Sequence, residues 1–121
     1  MANPSTVPAS SAGTEILRRS YKNTLTNTEV KLIDGSANYT YTLLSVVMCN
    51  ESGADENVHM WIDIEAGGTD VYLLYNQPVL QGETFIWNDK ILLSETDELM
   101  IQLTNAGNVD IYCTYIEQRW A

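Results

Sequence analysis

The feature that most constrains this chain is the period of its apolar residues. From about residue 29 onward they recur at alternate positions, in short runs punctuated by Gly, Asn, Asp and Pro. Successive strand residues point to opposite faces, so a period of two builds strands and does not wind an amphipathic helix. The clearest run is 58–65 (VHMWIDIE). Val58, Met60, Ile62 and Ile64 share one face; His59, Trp61, Asp63 and Glu65 share the other. Residues 39–49 (YTYTLLSVVMC) begin as alternating Tyr and Thr, then turn apolar on both faces from Leu43 to Met48 except at Ser45. Such a run calls for burial from two sides.

Further strands are expected over 29–33, 69–75, 84–87, 90–93, 98–104 and 109–116, with turns at 34–36 (DGS), 50–53 (NESG), Gly67-Gly68, Gln81-Gly82 and 105–108 (NAGN). Pro78 is expected to break the strand that begins at Thr69. Residues 15–21 (EILRRSY) fit either a strand or a single helical turn. About eight strands with no convincing helix imply an all-β protein. The expected architecture is an antiparallel β-sandwich, jelly-roll or Greek-key, with a closed barrel as the alternative.

The 121 residues suit one domain. Residues 1–13 (MANPSTVPASSAG) hold no charge and no periodic apolar pattern. The expected division is therefore an extended arm over 1–22 and a sandwich over 23–121. The N-terminus lacks the apolar core of a signal peptide, and no run approaches the roughly 18 apolar residues of a membrane span. A soluble protein made in a cytoplasm, without a membrane partner, is the expectation.

Net charge is −10. Of the sixteen Asp and Glu, only Glu15 and Glu29 precede Asp34, whereas Arg18, Arg19, Lys22 and Lys31 all do. A body of that sign repels phosphate, so nucleic acid is not an expected partner. The basic stretch Arg18, Arg19 and Lys22 is either a solvated surface or a segment that docks on an acidic neighbour or another copy.

No constellation points to catalysis, and no enzyme activity, metal or cofactor is expected. His59 stands alone, and no GxSxG-type elbow sets a nucleophile beside it. Asp63 and Glu65 share a strand face, as many acidic surfaces do. Asp55, Glu56, Asp63, Glu65 and Asp70 lack the spacing of a calcium loop. Cys49 and Cys113 sit in apolar runs and read as buried free thiols, with a disulfide open. Trp61, Tyr72, Trp87, Tyr112 and Trp120 fall opposite the aliphatic face or at strand ends. Such residues cover a core rim, fill a protein interface or stack on sugars.

The order of segments over 39–118 resembles small β-sandwich virion proteins of tailed bacteriophages. It comprises YTLLSVVMCN at 41–50, VYLLYNQPVLQG at 71–82, NDKILL at 88–93, ETDEL at 95–99 and VDIY leading to YIE at 109–117. The resemblance implies a virion component and no catalytic residues. The function expected from it is capsid decoration: a cement protein that stabilises the shell by bridging neighbouring capsid subunits. A tail, neck or fibre component, or a host-receptor (carbohydrate) binding module, is the alternative. The partners implied are the major capsid protein or other virion proteins and further copies of the chain, a trimer among the options. Arg18, Arg19, Lys22, Trp61, Trp87, Tyr112 and Trp120 are the expected partner-binding residues.

Overall fold

A computed structural model describes residues 15–120. The chain forms nine strands: β1 (Glu15–Leu25), β2 (Val30–Asp34), β3 (Tyr39–Asn50), β4 (Glu56–Asp63), β5 (Asp70–Val79), β6 (Thr84–Trp87), β7 (Ile91–Ser94), β8 (Glu98–Leu103) and β9 (Val109–Arg119). They make two antiparallel sheets. The first runs β1-β9-β3-β6, with β7 also paired to β3; the second runs β2-β8-β4-β5. β6 lies against Val46–Cys49 and β7 against Thr40–Leu43, so they are two halves of one strand position interrupted by Asn88-Asp89-Lys90. Counting that position once gives eight, and their order is that of a jelly roll. The expected sandwich is therefore the fold, with one more strand than the sequence announced.

Alternation places the core. Leu43, Val46, Met48, Ile111 and Cys113 of the first sheet meet Val58, Met60, Leu99, Ile101 and Leu103 of the second, each at most 2% exposed. Two buried polar residues tie the ends. At one end the Asp97 carboxylate accepts the Glu65 and Ser94 amides, each at 3.0 Å. The Gly35 amide donates to the Asp97 carbonyl, and a Cβ on Gly35 would run into the Glu95 and Asp97 backbone oxygens. At the other end Asn50, 1% exposed, donates from Nδ2 to the Ala54 and Val79 carbonyls (2.9 and 2.8 Å) and accepts the Ser52 amide at 2.7 Å.

Two expectations change. Residues 15–22, read as part of an arm, are the opening of β1 and pair with Gln118–Ile111 of β9. The first 14 residues of that arm lie outside the described residues. Pro78 does not break its strand: β5 continues to Val79, with Pro78 opposite Asn57. β5 is an edge strand, where the missing proline N–H costs no ladder bond. Register shifts around Met60 and the left-handed Asn76 (φ 54°) absorb the local irregularity.

Candidate functional site

The site is a face rather than a cleft. Residues paired directly across strands share a face, so the register defines rows on the outside of the first sheet. One row runs Leu17, Ile116, Thr42, Leu92; another runs Tyr21, Tyr112, Val47, Ile86. Leu17, Tyr21, Ile86, Leu92 and Tyr112 are 44–65% exposed. The polar row Arg19, Thr114, Ser45 runs between the two, so the face carries two apolar stripes. Exposed apolar stripes of this size mark an interaction site. Between Tyr21 and Cys49 the face dips into a groove of about 420 Å³, lined also by Arg19, Lys22, Val47, Asp110 and Tyr112.

The charges at the groove are ordered. The Arg19 guanidinium lies 5.7 Å from the Tyr21 ring centroid, a cation–π arrangement. Its hydrogen bond with Tyr112 pushes its pKa up. At the far end the Thr24 amide donates to Asp110 at 3.0 Å. Asp110 also shares a carboxyl hydrogen bond with Glu51, which pushes the Glu51 pKa up and the Asp110 pKa down. Cys49 is half-buried in the groove wall; Cys113, on the core side, is buried, and both are free thiols. Burial pushes the Cys113 pKa up to about 12.

The expected partner-binding residues separate in space. Arg19, Lys22 and Tyr112 come together at the groove. Arg18 points the other way and pairs with Glu117 at 3.4 Å. Trp120 lies exposed at the end of the chain, its amide donating to the Asn38 carbonyl. Trp61 is on the outer face of the second sheet, as its alternation implies, yet it is only 4% exposed because Tyr72 covers it at 5.3 Å. Trp87 is turned to the core side, half-buried, with its indole N–H donating to the Asp89 carbonyl at 2.9 Å. Its expected outward placement is corrected by register: Trp87 pairs with the core residue Val46. Leu17, Tyr21, Ile86 and Leu92 escaped the sequence reading, and Cys49, expected to be buried, is half-buried in the groove wall. The one available signal was the doubly apolar run 43–48, which lacked an outer cover.

The second sheet's outer face holds His59, Tyr72 and Tyr75. His59 lies 4.9 Å from Tyr75 and 6.3 Å from Tyr72, centroid to centroid. The Asn76 amide donates to His59 Nδ1 at 3.3 Å, and Nε2 lies 2.8 Å from Thr104 Oγ1. The Thr104 hydroxyl donates in turn to Asn76 Oδ1 at 3.1 Å. With Nδ1 accepting, the proton sits on Nε2 and points at Thr104. This polarity is the reverse of what a base needs to activate a hydroxyl. Among the described residues, no group of three or more His, Cys, Asp or Glu converges on a metal position, and no helix is long and apolar enough to cross a membrane.

Strand order and paired sheets define a jelly-roll β-sandwich with exposed apolar side chains on the outer face of its first sheet. No family model matches the chain. No curated protein matches it. Solved structures do. One is from Bacillus endospore appendages, described as a novel family of disulfide-linked pili (TM-score 0.56, 16% identity, 96% of this chain and 97% of that one). Another is the Drosophila NLP core, studied for pentamer formation and histone binding (TM-score 0.56, 13% identity, 85% of this chain and 98% of that one). A third is from the acid-stable capsid of Helicobacter pylori bacteriophage KHP30 (TM-score 0.54, 10% identity, 92% of each chain). At these identities the likeness is one of fold.

Proposed function

We propose that this chain is a structural protein of a bacteriophage particle, located in the virion, that decorates the capsid and bridges neighbouring subunits. The observation that carries the reading is the outer face of the first sheet, with five large apolar side chains exposed on a chain of net charge −10. A strongly charged surface keeps a protein dispersed, so an apolar face of this extent has a use only when another protein covers it. The resemblance over 39–118 supports a virion setting, and the phage capsid likeness in fold is consistent with it. The partners on this reading are the major capsid protein and further copies of the chain. The mechanism is mechanical: apolar area buried at subunit junctions adds to the free energy that resists shell expansion.

The test is co-sedimentation with purified heads of the phage that encodes the chain. Tyr21→Asp with Tyr112→Asp places two charges on the apolar face and leaves the core untouched. The wild type is expected to travel with heads and the double variant to stay in the supernatant. A wild type that ignores heads sinks the decoration reading.

A second reading, a host-attachment or tail module, is favoured by Tyr72 and Tyr75. Their rings stand 5.3 Å apart at 85° and are 46% and 69% exposed. Stacking on a sugar would quench tyrosine emission, and Tyr75→Ala would abolish the change. No response across a panel of host surface glycans removes this reading.

A further inference from the structure

We infer that the groove on the outer face of the first sheet receives residues 1–14 of a second copy of the chain. The inference rests on the assembly reading above and names the occupant of that same face.

Position comes first. The segment joins the fold at Glu15, opposite Gln118 and at the edge of the first sheet. It therefore departs from the rim of the face that holds the groove. It leaves at the end where the exposed acids Asp34, Glu65, Asp70 and Glu95 gather around the Asp97 turn. Arg19 and Lys22 border the groove itself, beyond Leu17 along β1. Arg19 and Lys22, on the β1 side of a groove that holds Asp110 on its β9 side, are complementary to the acidic end of another copy, and their contact is heterologous. That contact delivers the segment of the first copy to the groove of the second.

Length and composition agree. Fourteen extended residues reach about 46–50 Å, against roughly 36 Å for an 11-residue strand such as β1. The segment can therefore cross the gap between copies and still lie along the face. MANPSTVPASSAGT carries no side-chain charge. Small and apolar residues with Pro4 and Pro8 favour an extended path, which a shallow groove over a sheet accommodates and a helix would not. Its own groove is a poorer target. The chain would have to reverse at residues 13–15 and run back parallel to β1.

The groove contains its own reporter. Cys49 lines it as a half-buried free thiol, while Cys113 is buried on the core side. Single variants Ser5→Cys, Val7→Cys and Ala9→Cys are oxidised with diamide and run on a non-reducing gel. Three positions cover the uncertainty of register. A ladder of covalent oligomers is expected from at least one variant, and it should vanish when Cys49→Ser is added. Cross-linked monomer only means the segment occupies its own groove and overturns the inference. With Cys49→Ser each chain keeps one accessible thiol, so segment-to-segment links stop at dimers. Dimers alone in the parent variants, oligomers that survive Cys49→Ser, or the absence of any link also overturn it. The two readings fail separately. Head binding without a Cys49-dependent ladder keeps the decoration role and discards this occupant. A Cys49-dependent ladder without head binding does the opposite.

Discussion

Asn50→Ala tests whether one buried amide holds an end of the sandwich. The side chain is 1% exposed and makes three hydrogen bonds that tie the β3–β4 turn to the last residue of β5. Val79 is 2% exposed, so its carbonyl loses a partner that water does not replace, at a cost of about 1–3 kcal/mol. Ala54 and Ser52 lie nearer solvent and lose about 0.5–1 kcal/mol each. The sum is about 2–5 kcal/mol. At roughly 4 °C per kcal/mol for a domain of this size, Tm should fall by about 8–20 °C. Thermal unfolding followed by circular dichroism reads it. Asn50→Asp sharpens the test. It keeps the acceptor for Ser52 but aims a carboxylate at two carbonyl oxygens, so it should be at least as damaging as alanine at pH 7. A fall of less than about 4 °C for Asn50→Ala, or an aspartate milder than alanine, would refute the assignment of the donor role.

Other perturbations read the remaining parts of the fold. Gly35→Ala forces its Cβ onto the Glu95 and Asp97 backbone oxygens, so it should prevent folding or lower Tm by more than any exposed substitution in a thermal melt. Ile101→Ala, at a fully buried position between the sheets, should cost about 2–5 kcal/mol in urea unfolding with an unchanged m-value. A disulfide-reporter titration at pH 8 should count one thiol in the native protein, Cys49, and two in denaturant. Cys113 also makes stability fall at alkaline pH. Its folded pKa of about 12 lies above the ordinary 9.0, so its contribution is complete below pH 9 and drains between pH 9 and 12. The slope is about 1.4 kcal/mol per pH unit. Burial raises the pKa values of Tyr41 and Tyr115 as well, which adds to the decline in the same sense. Urea midpoints for wild type and Cys113→Ala at pH 8 and 10.5 should converge as pH rises.

Most of the sandwich was legible because alternation and turn chemistry agree along β3, β4, β8 and β9. β1 was not, for a physical reason. Each of its faces mixes the two classes: outward Leu17 and Tyr21 flank Arg19, and inward Ile16 sits beside Arg18 and Ser20, so alternation carries no pattern. Only pairing with β9 fixes it as a strand. Trp87 shows the limit at the other scale. Four residues of β6 hold too little periodicity to say which face looks inward, and register with Val46 decides. Trp61 was placed on the correct face, but its cover comes from Tyr72 on another strand. Burial of that kind is tertiary and has no local signature. The candidate site was half legible: Arg19, Lys22 and Tyr112 were singled out, while the apolar rows that join them depend on the register of four strands.

The doubly apolar run Leu43–Met48 argues for a partner more strongly than any single exposed residue. Its inward side chains Leu43, Val46 and Met48 are fully buried by the second sheet. Its outward residue Val47 sits in the groove wall between the exposed Tyr112 and Ile86. A sandwich exposes one face of each sheet to water, and that face is ordinarily polar. Here the sequence builds a strand for burial on two sides and the fold supplies one. Covering ~300 Å² of such surface yields about 7–8 kcal/mol at 25 cal/mol per Å². Association costs about 4–15 kcal/mol before any of that appears as affinity. The face alone is thus a marginal interface. A second contact is needed on the same partner. On the inference above, the uncharged N-terminal segment of one copy supplies that second contact by covering the groove of the next.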